Sequence, residues 1–318
     1  MRLTVSLLLA ACLCGAAHAQ SWPQKPVKVI VPFPPGGVTD AVARITADWL
    51  SQRLGQAVVP ENRPGASGAI AAELVARADP DGYTLLSAAA PQLAVVPYVQ
   101  KINYDPVKDF APISIVGANS FVLGCNANVP AKTLKELIDL ARARPGQLNY
   151  ASPGQGSVGH LSMALLLARA DVRMEAVLYK GGGPAVADMV AGHVPCYFGN
   201  LNELLPHVGS GRVRLLATSG SRREAALPGV PTVAEQGYPG FRTATWNGYV
   251  APAATPRDVV ERIAREIAAG CKDAAFAARL EKIGVDPVCG TPPEFSRAIA
   301  EDLAIWKEAV QAAGIKPQ

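Results

Sequence analysis

The first ninety residues alternate between short apolar runs and amphipathic stretches. The run Pro26–Phe33 is apolar and β-branched, which predicts a buried strand ended by the turn residues PPGG. The next segment has apolar residues at helical spacing, namely Val42, Ile45, Trp49, Leu50 and Leu54. The alternation then continues with a strand at Ala57–Pro60, a helix at Ala69–Ala78 and a strand at Tyr83–Ser87. This order predicts a parallel sheet covered by helices on both faces.

A second alternating unit begins near Phe110. The strands predicted in it are Ile113–Val116, Phe121–Asn126, Asn149–Ser152, Ala176–Tyr179, Cys196–Phe198 and Arg214–Ser219. The helices predicted in it are 135–143, His160–Ala170 and Pro184–Ala191. The C-terminal region is helical, and Thr255 and Thr291 each precede a proline with an acidic residue two positions further on, the pattern of a helix start. The chain is therefore an α/β protein of two units, with helices returning to close one of them.

The first twenty residues have the pattern of a secretory signal peptide. Arg2 precedes an apolar run at Leu3–Leu13, and Ala17-His18-Ala19 matches an A-x-A cleavage site. We expect cleavage after Ala19 and export to the periplasm. Leu9-Ala10-Ala11-Cys12 also resembles a lipobox, so a lipoprotein anchored through Cys12 is the alternative. No later segment reaches the roughly 18 apolar residues of a membrane span.

Length and charge narrow the function. With 318 residues and 33.1 kDa, the chain is long enough for two domains. The net charge of +4 is mild and no basic cluster occurs, which argues against a nucleic-acid partner. No Cys/His spacing is typical of a metal site, so neither metal nor cofactor is expected.

Export makes disulfides possible for the four cysteines that follow the signal peptide. Four cysteines allow three pairings, and four free thiols remain an alternative. Cys125 and Cys196 lie in strands that could be neighbours, while Cys271 lies in a helix and Cys289 ends the segment after it. We therefore favour Cys125–Cys196 with Cys271–Cys289.

A glycine-rich loop, YASPGQGSVGH at 150–160, lies between a predicted strand and a predicted helix. A dinucleotide site would need an acidic residue at the end of the next strand, which instead ends in Tyr179-Lys180. A serine hydrolase using Ser157 and His160 would need glycine at Gln155. The third interpretation is an anion site, because helix N-termini offer free N–H groups to a ligand.

The anion interpretation is favoured because the chain repeats the pattern. FPPGGVTD at 33–40 and LYKGGGPA at 178–185 also connect a predicted strand to a predicted helix. The carboxyl ends of parallel strands are where α/β sheets place ligands. Several such loops around one cleft would bind a small anion through main-chain donors.

These loops also carry a family resemblance. The motifs WPQKPVKVIVPFPPGGVTDAVAR, YDPVKDFAPIS, LNYASPGQGSVGHLS, YKGGGPAVADMVAGHV and LPGVPTVAEQGYPGF occur in order between Trp22 and Gly314. In this order they resemble the Bug-type periplasmic receptors of tripartite tricarboxylate transporters. The resemblance implies a type II periplasmic-binding fold, with two α/β lobes joined by two crossing strands and a ligand cleft between them. It places one lobe at 20–122 and 246–318, the other at 123–245, and the hinge near 119–126 and 243–250.

The resemblance also implies the ligand and the residues that bind it. Family members bind small organic carboxylates, so the candidate binding residues are Phe33, Gly36, Gly37, Thr39, Asp40, Ser87, Ser152, Gly156, Ser157, His160, Lys180, Gly199 and Asn200. We expect Ser157→Ala to weaken binding by removing a hydroxyl donor. Lys180 and His160 are the candidate cations of these loops, which favours a ligand held by one carboxylate over a citrate-like one.

The expected protein is thus a monomeric receptor without enzymatic activity. Its partners would be the ligand and the membrane subunits of a transporter. A sensor that presents the ligand to a sensor-kinase ectodomain is the alternative, and a secreted serine hydrolase is a more distant one.

Overall fold

The computed structural model of the protein describes residues 22–224 and 226–316, so the predicted signal peptide and the lipobox lie outside the described residues. The strands, in chain order, are β1 (Val27–Val31), β2 (Val58–Asn62), β3 (Thr84–Ala89), β4 (Phe110–Asn119), β5 (Phe121–Asn126), β6 (Asn149–Ser152), β7 (Glu175–Leu178), β8 (Cys196–Asn200), β9 (Val213–Thr218), β10 (Thr245–Pro252) and β11 (Asp286–Pro287). The helices are α1 (Val38–Leu54), α2 (Ala69–Ala76), α3 (Val96–Val99), α4 (Leu134–Ala143), α5 (Val158–Arg169), α6 (Gly182–Ala191), α7 (Leu201–Val208), α8 (Arg257–Gly270), α9 (Ala274–Lys282) and α10 (Pro292–Ala312).

The strands form two sheets with related topology. The first has the order β11-β4-β10-β3-β1-β2, and the second has the order β7-β6-β8-β5-β9. In each sheet one strand enters from the other lobe and pairs antiparallel with both of its neighbours: β10 lies between β3 and β4, and β5 lies between β8 and β9. This order is that of the type II periplasmic-binding fold expected from the sequence. The chain crosses between the lobes at Ser120 and again in the segment 219–244.

Helices pack on both faces of each sheet through apolar side chains. In the first lobe, α1, α8 and α9 cover one face, and α2, α3 and the first half of α10 cover the other. In the second lobe, α4 and α5 cover one face, and α6 and α7 cover the other. Each lobe therefore has the predicted layers of helices on both sides of a mainly parallel sheet.

The last helix, α10, packs in both lobes. Phe295 and Ile299 belong to the core of the first lobe, whereas Trp306 and Val310 lie in the core of the second. The expected lobe boundaries remain a prediction. They assign all of α10 to the first lobe, although its second half contacts α5 of the second lobe.

Two disulfides join the pairs that the sequence favoured. Cys125 and Cys196 are opposite each other on β5 and β8, and Cys271–Cys289 ties the end of α8 to the segment after β11.

The two predicted threonine caps have different outcomes. Thr291 caps α10 as predicted, and its side chain accepts from the backbone of Glu294. The prediction for Thr255 is wrong by one position, since Pro256 precedes the first helical residue, Arg257, and the Thr255 hydroxyl has no partner. None of the described helices is long and apolar enough to cross a membrane.

Candidate binding site

The cleft lies where the carboxyl ends of β1, β2 and β3 face those of β6, β7 and β8. The chain passes between the lobes at these same ends of the sheets. β4 leads directly into β5, and β10 begins beside the carboxyl end of β3. Near the crossing the amide of Asn119 donates to Asn200 Oδ1 at 3.5 Å. Among the described residues, no hydrogen bond joins the loop 33–40 to a loop of the second lobe. Residues 34–38 of that loop are exposed, so this wall is accessible to a ligand.

Asp40 holds the 33–40 loop in shape from inside the first lobe. Its carboxylate accepts from the Gly36 N–H at 3.0 Å, from Arg44 Nη2 at 2.9 Å and from Asn62 Nδ2 at 2.9 Å. Asn62 also donates to the Phe33 carbonyl at 2.9 Å. Burial raises the pKa of Asp40, but these donors and the Arg44 charge outweigh it and lower the pKa to about 2. Asp40 is 3% exposed, so it positions the loop instead of presenting a free charge to the cleft.

The N-terminus of α1 has no side-chain cap. Its N-cap residue is Gly37, which has extended backbone angles and no side chain to accept from the first turn. Gly36 has φ +91°, a conformation that favours glycine, and it turns the chain into the helix. The N–H groups of the first turn and the positive end of the helix dipole are consequently open to an acceptor from outside.

The N-terminus of α5, on the opposite wall, is capped by the protein itself. Ser157 Oγ accepts from the His160 N–H at 3.3 Å and donates to the Gly154 carbonyl at 2.7 Å. Ser152 Oγ, fully buried, also donates to Gly154, at 3.2 Å. The Gly156 N–H donates to His160 Nδ1 at 3.1 Å. These predicted binding residues therefore hold one another, and the Ser157 hydroxyl is committed to its own loop.

His160 is a neutral side chain in this site. It is 8% exposed, stacks on Tyr150 with a ring separation of 6.5 Å, and burial lowers its pKa below the usual value. Its Nδ1 accepts a hydrogen bond, so the ring carries its proton on Nε2. The interpretation of His160 as a cation is wrong for neutral pH, because desolvation disfavours the charged imidazolium.

The third glycine of the loop motif has a packing role. A Cβ at Gly159 would overlap the Phe198 carbonyl oxygen, since α5 lies directly against β8. Close helix–strand packing thus accounts for Gly159 without a dinucleotide.

A carboxylate of the protein lies beside the third glycine loop. Glu203 Oε2 accepts from Tyr197 Oη at 2.7 Å and from the Asn200 N–H at 3.2 Å. A Cβ at Gly182, the first residue of α6, would overlap Glu203 Oε1. The α6 N-terminus therefore already has an anionic neighbour. At α1 the first-turn acid, Asp40, accepts instead from Gly36, Arg44 and Asn62.

The remaining predicted residues divide into exposed and buried positions. Lys180 is exposed and, within the described residues, has no salt-bridge partner. Phe33 is half-buried at the start of the loop, and Thr39 is buried in the first turn of α1. Gly199 is buried beneath the Tyr197 ring, which a Cβ there would displace. Ser87 is fully buried, and its hydroxyl has no partner.

Two residues that hold the site were missed from the sequence. Arg44 and Asn62 fix the Asp40 carboxylate, and Arg44 Nη2 also donates to Asn62 Oδ1 at 3.0 Å. The signals for them were an acid and an arginine four apart on one helix, and an asparagine at the carboxyl end of a strand beside the loop.

Comparison with known proteins identifies the family. The sequence profile of the tripartite tricarboxylate transporter family receptors matches residues 42–315. This chain belongs to that receptor family. It is 36% identical over 311 residues to the protein BugT of Bordetella pertussis, which covers 97% of this chain and 95% of BugT. The family consists of periplasmic solute-binding receptors, so the expected fold and family are both confirmed.

Two solved structures of similar proteins contain a ligand. Rpa4515 of R. palustris, determined with adipate, is 35% identical with a TM-score of 0.76, and the match covers 94% of this chain and all of that one. MatC from Rhodopseudomonas palustris, with bound malate, is 31% identical with a TM-score of 0.72, and the match covers 91% of this chain and all of that one.

Proposed function

We propose that this receptor captures a small organic carboxylate by closing its two lobes around it. The observation that carries the proposal is the uncapped N-terminus of α1 at the cleft. Gly37 leaves the N–H groups of the first turn without a side-chain acceptor, and a ligand carboxylate would supply one. The adipate and malate bound by the two similar proteins support this ligand class.

The charges around the cleft favour a ligand held at one carboxylate. His160 is neutral, Arg44 is paired with Asp40, and Lys180 is exposed. Glu203 adds a negative charge beside α6. Main-chain donors on the first lobe would therefore hold most of the ligand charge, which disfavours a citrate-like ligand.

Closure on the ligand would create the surface that a membrane transporter recognises in the periplasm. We propose that the receptor acts as a monomer without catalysis. The contacts of Ser157 and His160 give no support to a hydrolase. The Ser157 hydroxyl donates to the Gly154 carbonyl, and His160 Nδ1 accepts from the Gly156 N–H, so the ring nitrogen and the hydroxyl do not form a nucleophile–base pair.

The substitution Gly37→Asp tests the proposal directly. A Cβ at this position meets only the Pro34 carbonyl, at 3.9 Å, and the backbone angles suit any residue. An aspartate at the N-cap would accept from the first turn of α1 and occupy the place of the ligand carboxylate. We expect calorimetry with a panel of carboxylates to detect binding to the native protein and none to Gly37→Asp, with unfolding stability equal or higher.

Gly37→Ala is the matched control, because it adds the same Cβ without an acceptor. It should still bind. Equal affinity of Gly37→Asp and Gly37→Ala for the carboxylates would overturn the proposal.

A further inference from the structure

Asn247 is a buried amide whose oxygen has no hydrogen-bond partner. Its side chain lies on β10 at the cleft end of the first sheet, and the residue is 3% exposed. A buried carbonyl oxygen without a donor loses its hydration without compensation, which is unfavourable. A position of this kind in a binding protein is a place to look for a ligand contact.

The register places Asn247 beside the open end of α1. Asn247 and Tyr249 are two residues apart on one strand, so their side chains share a face. Tyr249 Oη donates to the Ala43 carbonyl of α1 at 3.1 Å, which shows that α1 covers this face. Asn247 is two residues nearer the cleft than Tyr249, and Thr39 is one helical turn nearer than Ala43. The amide therefore lies below the first turn of α1.

The neighbours of Asn247 are too small to satisfy it. Ala89 is its partner on β3, and Gly117 is its partner on β4. Neither has a side chain that can donate a hydrogen bond. Ser87 lies one pair deeper on the same face, and its hydroxyl is also without a partner. The strand partners thus leave the Asn247 oxygen without a donor, and a ligand in the cleft could supply one.

We infer that Asn247 is a specificity-determining residue that accepts a hydrogen bond from a hydroxyl or amino group of the ligand. This inference rests on the proposed function, because it takes the ligand carboxylate to bind the first turn of α1. A donor group on the carbon next to that carboxylate would then lie over Asn247 Oδ1. The site is thereby matched to hydroxy- or amino-substituted carboxylates over their unsubstituted counterparts.

Calorimetry on matched series of acids tests the inference. Each series differs only in the substituent beside the carboxylate: propionate, lactate and alanine; succinate, malate and aspartate; phenylpropionate, phenyllactate and phenylalanine. In any series that binds, we expect a substituted member to bind at least about fivefold more tightly than the unsubstituted one, the effect of one neutral hydrogen bond. Equal or tighter binding of the unsubstituted acid would overturn the inference and leave the proposed function intact.

The substitution Asn247→Leu assigns the preference to this residue. It keeps a similar side-chain volume and removes the acceptor, so the preference within the series should disappear. Asn103→Leu, at an exposed asparagine of the same lobe, is the control and should retain the preference. A preference that survives in Asn247→Leu would also overturn the inference. Absence of binding in all three series would instead contradict the proposed function itself, and this inference with it.

Discussion

Asp40 illustrates how one buried carboxylate can hold a loop in shape. The family resemblance made Asp40 a candidate for ligand contact, which stays a prediction. Its carboxylate accepts from Gly36, Arg44 and Asn62. Periodicity identifies the helix that carries Asp40, but it does not say which side chains from β2 will meet it, because that depends on tertiary packing.

The low pKa of Asp40 makes a prediction about stability and pH. The folded pKa is about 2 against an ordinary value of 3.8, so the ionised form is favoured by folding. This contribution is present above pH 4 and is lost as the pH falls towards 2. We expect Asp40→Asn to lower the free energy of unfolding by about 2 kcal/mol at pH 7, with the difference shrinking between pH 4 and pH 2.

Urea unfolding across this pH range measures the effect. Asp79→Asn, at an exposed aspartate of the same lobe, is the control and should change little. A difference between the native protein and Asp40→Asn that stays constant from pH 7 to pH 2 would contradict this role for the carboxylate.

The elements were predicted more securely than their side-chain contacts. The strands at Phe121–Asn126 and Asn149–Ser152 have the predicted bounds, because turn residues follow each of them directly. β4 is longer than expected, since Pro112 within it lies at a bulge beside β10 and does not end the strand. The helix α7 was not predicted: it follows β8 without a loop and contains Pro206, which weakens its sequence signal.

The close contact between α5 and β8 predicts that a methyl group added at Gly159 lowers the stability of the protein. A Cβ at Gly159 would overlap the Phe198 carbonyl, a backbone atom that cannot rotate away. We expect Gly159→Ala to destabilise the protein by about 1–3 kcal/mol in urea unfolding, because the helix must shift off the strand.

Gly183→Ala is the matched comparison, because Gly183 lies in α6 of the same lobe with no atom within 4 Å of an added Cβ. It should leave stability unchanged or raise it by up to about 1 kcal/mol, through helix propensity. Equal effects of the two substitutions would mean that close packing is not what Gly159 provides.

At the scale of the whole molecule, a side-chain hydrogen bond joins the two lobes near the hinge. Asn202 Nδ2, at the start of α7, donates to the Ile283 carbonyl, which follows α9, at 3.3 Å. We expect a closing rotation of the lobes to disturb this hydrogen bond.

This expectation predicts that removing the hydrogen bond tightens ligand binding. Asn202→Ala removes one inter-lobe hydrogen bond of the described conformation, so closure should cost less. We expect the affinity for a bound carboxylate to rise by up to about fivefold in calorimetry, the value of one exposed hydrogen bond. Asn103→Ala, away from the hinge, should leave affinity unchanged. Weaker binding by Asn202→Ala would mean that this contact supports the closed form.

Native mass spectrometry of protein isolated from periplasm without refolding tests the central claim most directly. The account predicts a mass excess on the mature chain that disappears on denaturation and is identified as a small organic carboxylate. It also predicts that the same excess is absent from Gly37→Asp and present in Gly37→Ala. A bound species without a carboxylate, or a bare chain that stays bare after incubation with carboxylates, would contradict it.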